Sequence, residues 1–149
     1  MCIRDSHYTF YDEYSGTLFM GDTLGLIYPH GDFVQPNLPP PDFNKDILFQ
    51  TLDSFENLEI NKLAIAHFGI HENPYELIND AKENIESWLL FISNVENLSN
   101  DEASNELVNW LRRNYESLGI DSETINNYIG NGNFEMQVIG IRNYLKKVD

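Results

Sequence analysis

The hydrophobic pattern begins with short strand-like runs. Residues 7–12 (HYTFYD) and 17–21 (TLFMG) surround an EYSG turn, which predicts a β-hairpin. Residues 62–68 (KLAIAHF) form a short apolar run typical of a buried strand. Between them, residues 43–58 carry apolar side chains at helical spacing, and Asp42 is the predicted N-cap. This order of strand, helix and strand predicts an α/β layer.

The second half of the chain is predicted to be helical throughout. Pro74 opens a long helix, in which residues 77–95 form one apolar stripe. Three more helices are predicted at about residues 101–118, 121–129 and 134–148. We interpret their apolar stripes as ordinary core packing.

Residues 23–41 are rich in glycine and proline and show no periodicity. A segment of this length is typically either disordered or a functional lid, and Tyr28 and Phe33 favour a covering loop. Tyr28 and His30 are therefore candidates for substrate contacts, although an exposed loop explains both residues equally well.

Composition and charge narrow the function classes. The 149 residues suit one domain or a small sheet with a helical appendage, and a hydrophobic content of 42% can form a core. The net charge of −15 repels phosphate backbones and anionic membranes, so nucleic-acid and membrane binding are disfavoured. We see neither an apolar run of about 18 residues nor the features of a signal peptide, so we expect a soluble, cytoplasmic protein.

Residues 1–6 (MCIRDS) resemble the translation of a transposase sequencing adapter. We interpret them as non-native and expect the natural sequence to begin at about His7. The only cysteine, Cys2, lies in this segment. Without Cys2, disulfides and cysteine nucleophiles are excluded, and any chemistry falls to histidine, carboxylate and hydroxyl groups.

Two predicted strands end in side chains that can bind metal ions. Asp22 follows Gly21 directly after the second strand of the hairpin, and His67 lies near the end of the later strand. Strand ends hold the backbone in place, while the next loop leaves room for substrate. Taken singly, an aspartate after glycine is typical of a turn, and such a histidine is typical of the core. The wider motif therefore decides the interpretation.

Two stretches together carry a resemblance to a known family: HYTFYDEYSGTLFMGDTLGL at residues 7–26 and, about forty residues later, LAIAHFGIHENP at residues 63–74. They resemble the second half of a metallo-β-lactamase-fold hydrolase, of the group that includes the glyoxalase II-type thioesterases. The resemblance implies an α/β fold, namely the C-terminal half of an αββα sandwich followed by an α-helical C-terminal region. It places a partial metallo-β-lactamase-like domain at residues 7–98 and the helical region at residues 99–149.

The resemblance also implies a chemistry. In that family, the aspartate of the Gly-Asp motif bridges two metal ions and the later histidine binds one, which assigns these roles to Asp22 and His67. The implied cofactors are two divalent ions, zinc or alternatively iron or manganese. The implied reaction is attack by a metal-bound hydroxide on an ester, thioester or related bond of a small-molecule substrate. His71 is a candidate for a contact to substrate or to a metal ligand, with a solvated loop histidine as the alternative.

The family's remaining ligands lie upstream of the matching region. They comprise a His-x-His-x-Asp-His motif and a histidine that would fall at position 3, where this chain has Ile3. His7 matches the next histidine of that segment, which is not a ligand, and is a candidate contact only. Two ligands do not fill a zinc shell, which usually takes three or four protein donors. We therefore expect this chain to bind zinc weakly and to lack hydrolase activity, while an intact parent is active.

The alternative function is a non-catalytic acidic interaction module, in which Asp22 and His67 are structural residues. The presence or absence of the upstream histidines discriminates between the two functions.

Overall fold

The computed structural model describes residues 2–4, 7–28, 33–41, 43–67, 69–130 and 132–148, with residues 2–4 and 7 described by their backbone. The chain divides into two compact units. The first comprises Met1–Asn37 and Asn44–Glu86, and the second comprises Leu38–Phe43 and Ser87–Asp149. The resemblance described above implies a boundary between residues 98 and 99, which separates two regions of the family's fold. The division into compact units does not test that boundary.

The first unit contains a five-stranded sheet with the order β1-β2-β3-β6-β7. Its strands are β1 (Cys2–Arg4), β2 (His7–Asp12), β3 (Thr17–Gly21), β6 (Lys62–Ile65) and β7 (Ile70–His71). Strands β3 and β6 are parallel, and the other neighbouring pairs are antiparallel. The predicted hairpin is confirmed by β2 and β3, whereas β6 ends earlier than the predicted strand. Backbone pairing of β1 does not depend on side-chain identity, so it does not test the adapter interpretation.

Helix α1 (Lys45–Ser54) begins later than predicted and continues into a short 3₁₀ segment, Phe55–Asn57. Its N-cap is Asn44, whose side chain accepts a hydrogen bond from the Ile47 amide at 3.1 Å. The prediction that Asp42 caps this helix is wrong, and Asp42 itself lies outside the described residues. Asparagine and aspartate are equally good N-caps, so residue type alone does not distinguish Asn44 from Asp42.

Residues 23–41 were predicted to be a covering loop without regular structure. The structure instead shows a two-stranded antiparallel sheet within this segment. Its strands are β4 (Leu26–Ile27) and β5 (Val34–Gln35). Ile27 and Val34 are fully buried, so the segment contributes to the core of the first unit. Strands of two residues are too short to show alternation, which is why the sequence pattern revealed neither these strands nor β7.

The predicted helices of the second half are confirmed. They are α2 (Pro74–Asn94), α3 (Asn100–Ser117), α4 (Ser122–Gly130) and α5 (Phe134–Val148). Helix α2 passes from the first unit into the second after Glu86. Helix α3 begins with a capping box, in which Ser99 and Glu102 satisfy each other's backbone amides. In the described part of the chain, no helix combines the length and apolar character needed to cross a membrane.

The second unit packs α5 closely against the segment Leu38–Phe43. The Leu38 amide donates a hydrogen bond to the Gln137 side chain of α5. At another position of α5, the Arg142 guanidinium donates to the Asn100 side chain at 2.7 Å and to the Leu98 carbonyl at 2.9 Å. A Cβ at Gly140 would overlap the Leu38 carbonyl oxygen. Glycine is therefore needed at this position for close approach of two backbones.

Candidate metal centre

The parallel pairing of β3 and β6 brings the two predicted metal ligands to one edge of the sheet. Gly21 is the register partner of Ile65, and the Ala66 amide donates to the Gly21 carbonyl at 3.1 Å. Asp22 follows on the first strand and His67 follows on the second. Because parallel strands end at the same edge, side chains far apart in sequence become neighbours.

The two side chains meet directly. Asp22 Oδ1 lies 3.5 Å from His67 Nε2. The Asp22 side chain is 28% exposed and its Oδ1 is shielded from solvent, whereas the His67 side chain is 57% exposed. The carboxylate is thus held in the sheet edge, and the imidazole reaches it from the solvent side.

Gly21 explains how the chain aims Asp22 at His67. Its φ is +55°, in the left-handed region that glycine adopts without a steric penalty. The register between β3 and β6 shifts between Phe19 and Gly21, so the strand carries a bulge just before the aspartate. Bulges of this kind redirect the side chain that follows. The Gly-Asp pair is therefore a conformational unit, with the glycine turning the chain and the aspartate supplying the donor.

The donor pair fits a metal shell in chemistry and in spacing. Carboxylate oxygen and imidazole nitrogen both bind zinc at about 2.0–2.1 Å, which puts two donors of a tetrahedral ion about 3.3 Å apart. The observed 3.5 Å is close to this spacing. Among the described residues, however, histidine, cysteine, aspartate and glutamate nowhere form a group of three or more that could hold an ion. Asp22 and His67 by themselves would therefore supply only part of a metal shell.

Of the four other predicted contacts, the structure describes the side chains of His71 and Tyr28. His71 is not a solvated loop residue, because it lies in β7 opposite Leu63 and its Nε2 is buried, with no hydrogen-bond partner among the described residues. Tyr28 is buried as well, so the exposed-loop interpretation is wrong for this residue. His30 and the side chain of His7 lie outside the described part, and their contacts stay predictions.

Sequence reasoning missed Thr23. Its hydroxyl directly follows Asp22 in the chain, is buried, and has no hydrogen-bond partner within the described ranges. The Thr23 amide donates to the Met20 carbonyl at 3.1 Å, so the turn after β3 holds this residue. The one signal in the sequence is its position beside the Gly-Asp pair.

The chain is similar in fold to a metallo-beta-lactamase family protein. That protein comes from Thermus thermophilus, and its crystal structure matches with a TM-score of 0.62 and 16% sequence identity. At this identity the likeness shows the fold alone. No protein-family model matches the sequence, and no curated protein matches it either.

The Thermus protein confirms the coarse part of the predicted fold, a mixed α/β architecture of the metallo-β-lactamase type. The match covers 97% of this chain but 41% of the Thermus protein. This chain thus spans less than half the length of its structural neighbour. The assignments to the glyoxalase II-like group and to the C-terminal half of the sandwich stay predictions.

Proposed function

We propose that this chain is the C-terminal part of a metal-dependent hydrolase, in which Asp22 and His67 are two ligands of the metal centre. The observation that carries the proposal is the 3.5 Å approach of these side chains at the ends of adjacent parallel strands. Burial does not explain the position of His67, because more than half of its side chain is exposed. An exposed imidazole held against a shielded carboxylate oxygen is suited to share a cation.

The chemistry assigned to the site follows from its donors. Divalent metal ions, when bound, lower the pKa of coordinated water towards neutrality and polarise a substrate carbonyl. Asp22 would hold the metal through its carboxylate oxygens, and His67 would hold it through Nε2. We propose zinc as the metal, with iron and manganese as the alternatives for the same donor set.

The proposed substrate is a small molecule with an ester, thioester or related bond, as in the glyoxalase II-like group. The net charge of −15 disfavours polyanionic substrates such as nucleic acids. Only nine lysine and arginine residues are present to attract an anionic group. The charge therefore favours substrates that carry little negative charge.

The first test of this function is the gene from which the chain derives. We expect the coding sequence upstream of His7 to contain a His-x-His-x-Asp-His motif and a further histidine just before the hairpin. In the expressed parent, Asp22→Ala should remove at least one bound metal ion per chain and reduce ester or thioester hydrolysis by about 100-fold or more, because an ion is lost from the reacting centre. Glu13→Ala is the matched control, since Glu13 is an exposed carboxylate of the same hairpin. Full metal content and an unchanged rate in Asp22→Ala would refute the assignment.

A non-catalytic interaction module is the second candidate, and one observation favours it. Phe10 and Phe19 are exposed side by side on the sheet, and exposed apolar patches commonly mark protein contacts. An upstream reading frame without the histidine motif, in a parent that purifies without metal, would favour this function over the hydrolase.

A further inference from the structure

The second unit contains a cavity where the end of α2, the start of α3 and the second half of α5 meet. Its lining residues come from 92–100 and 142–146, so it shares no residue with the candidate metal centre. Its volume is about 470 Å³, and small-molecule sites usually measure roughly 300–1,000 Å³. Arg142 in its wall lies roughly 200° around α5 from Gly140. The cavity therefore opens on the side of α5 that faces away from Leu38.

Arg142 is a half-buried cation in the wall of this cavity. Its Nη2 donates to the Val95 carbonyl at 3.0 Å and to the Leu98 carbonyl at 2.9 Å, and its Nη1 donates to Asn100 Oδ1 at 2.7 Å. All three acceptors are neutral. A guanidinium has five N–H donors, so two of them are left over. Among the described residues, no carboxylate lies within ion-pair distance of Arg142.

The same three bonds fix the guanidinium of Arg142 before any ligand arrives. Ordering a long side chain normally costs free energy when a ligand binds. Arg142 has already lost this freedom on folding, so an anion that accepts from its remaining N–H groups does not have to order it. The structural role of Arg142 at the end of α2 and a binding role in the cavity are therefore compatible.

Two further charged side chains, Lys146 and Glu96, line the cavity, and both are exposed. Neither forms an ion pair with another residue of the described ranges, so Glu96 does not neutralise either cation by direct contact. Two positive groups and one negative group leave the lining with a net charge of +1, in a chain whose total is −15. A monoanion matches this local balance, whereas a polyanion meets too few cations.

The cavity also has an apolar wall. Ile92 is 1% exposed, and Leu145 is half-buried next to Lys146 in α5. The methylene stems of Arg142 and Lys146 add to this wall, because long cationic side chains keep their charge at the wet end and their carbon chain against apolar surface. A ligand with an aliphatic part would therefore bury it here, which a purely inorganic anion does not do.

We propose that this cavity binds a small amphipathic carboxylate. Its carboxylate accepts hydrogen bonds from Arg142 and pairs with Lys146, and its aliphatic tail lies against Ile92 and Leu145. The inference goes beyond the proposed function and does not rest on it, since no residue of the candidate metal centre takes part.

Titration of this chain with octanoate, followed by nuclear magnetic resonance, tests the site. We expect the backbone amides of residues 92–96 and 142–146 to shift, with a dissociation constant of about 1 mM or tighter. Three probes separate the parts of the ligand. Octanol has the tail without the charge, acetate has the head group without the tail, and inorganic phosphate carries more charge and no tail. Each of the three should bind at least about 10-fold more weakly than octanoate.

Two exposed residues of the lining allow the local charge to be changed in opposite directions. Lys146→Gln should weaken octanoate binding about 3-fold, and Glu96→Gln should strengthen it about 3-fold, as expected for exposed charges. Lys147→Gln and Glu116→Gln are the matched controls, because they make the same changes at exposed positions outside the lining. At about 0.15 M NaCl, where the screening length is about 8 Å, both controls should keep the affinity of the unaltered chain.

Arg142→Gln should abolish octanoate binding. Because this substitution also removes three structural hydrogen bonds, the two surface variants decide the question if the Arg142 variant does not fold. Asp22→Ala should leave octanoate binding unchanged, which keeps this test separate from that of the proposed function.

Four results would overturn the inference. One is the absence of shifts in residues 92–96 and 142–146 at about 10 mM octanoate, ten times the expected dissociation constant. Another is octanol binding as tight as that of octanoate, which would mean an apolar cavity without anion recognition. The third is equally tight binding of acetate or phosphate, and the fourth is the same affinity in Lys146→Gln, Glu96→Gln and their controls.

Discussion

At the scale of single residues, three positions of the first unit determine the candidate site. Gly21 turns the chain out of β3, Asp22 presents a shielded carboxylate oxygen, and His67 meets it at 3.5 Å. The backbone conformation of Gly21 and the strand ends set the directions of the Asp22 and His67 side chains. Substitution of Gly21 therefore tests the conformation of the chain, and substitution of Asp22 or His67 tests the proposed metal binding.

Gly21→Ala should destabilise the fold because alanine is strained at a φ of +55°. The expected loss in the free energy of unfolding is about 1–2 kcal/mol, measured by urea denaturation of this chain. Gly130→Ala is the control, since Gly130 ends a helix and a Cβ there would contact nothing within 4 Å. Equal stability of Gly21→Ala and the unaltered chain would contradict the structural role of this glycine.

Zinc should bind this chain weakly through Asp22 and His67. Complete structural zinc sites are worth about 10–16 kcal/mol, and a half shell should give a dissociation constant of about 1 μM or weaker. Calorimetric titration should show this binding lost in Asp22→Ala and in His67→Ala, and retained in Glu13→Ala. Nanomolar, stoichiometric zinc in the unaltered chain would show that the shell is complete without the upstream part.

At the scale of elements, helix caps and short strands define where the chain changes direction. Asn44 and Ser99 cap α1 and α3 through side-chain hydrogen bonds to backbone amides. Asp121 does the same at the start of α4, where it accepts from the Thr124 hydroxyl at 2.7 Å and from the Thr124 amide at 3.0 Å. These bonds lie on the surface, so their strength responds to the solvent conditions.

The cap of α4 should make stability depend on pH. The Thr124 hydroxyl and then its amide lower the pKa of Asp121, because both bonds favour the ionised carboxylate. The unfolded chain binds this proton more tightly than the folded one. The contribution is therefore complete above the ordinary aspartate pKa of about 3.9 and is lost as the pH falls through the lower folded pKa.

Asp121→Asn keeps the cap and removes the charge, so it isolates this effect. The difference in thermal midpoint between Asp121→Asn and the unaltered chain should vary below about pH 4 and stay constant between about pH 6 and 8. Asp46→Asn is a suitable control, because it removes the same charge from an exposed position in the first turn of another helix. A difference that does not change across the acid range would refute the coupling.

At the scale of the whole molecule, the balance of charge is the dominant property. There are 24 acidic residues against nine basic ones. The few cations are partly engaged in local ion pairs, such as Lys82 with Asp53 and with Glu56 at 3.6 Å. The excess negative charge repels itself in the folded state.

Added salt should therefore stabilise the chain. Raising NaCl from about 10 mM to about 1 M shortens the screening length from about 30 Å to about 3 Å, which weakens the repulsion between exposed carboxylates. We expect the thermal midpoint to rise by several degrees, followed by circular dichroism. Glucose at matched osmolarity controls for solvent exclusion, and a midpoint that falls with salt would mean that ion pairs outweigh the repulsion.

Much of the secondary structure follows from local patterns. The hairpin of β2 and β3, the start of α2 at Pro74 and the extent of α5 are all predicted from periodicity and turn residues. The two-residue strands β4, β5 and β7 are not, because two residues are too few to show alternation of apolar and polar side chains.

The sequence by itself determined the hairpin, the helices of the second half and the negative charge, since each of these depends on composition or on nearby residues. Tertiary structure decided that β3 and β6 are parallel neighbours, so that Asp22 and His67 meet at one edge. It also decided that Phe10, Phe19 and Ile70 lie exposed on one face of the sheet, with the partly buried Ala64 between Phe19 and Ile70. The physical reason is that the pairing of β3 with β6 joins residues more than forty positions apart, and hydrogen bonds between backbones leave no mark in the local hydrophobic pattern.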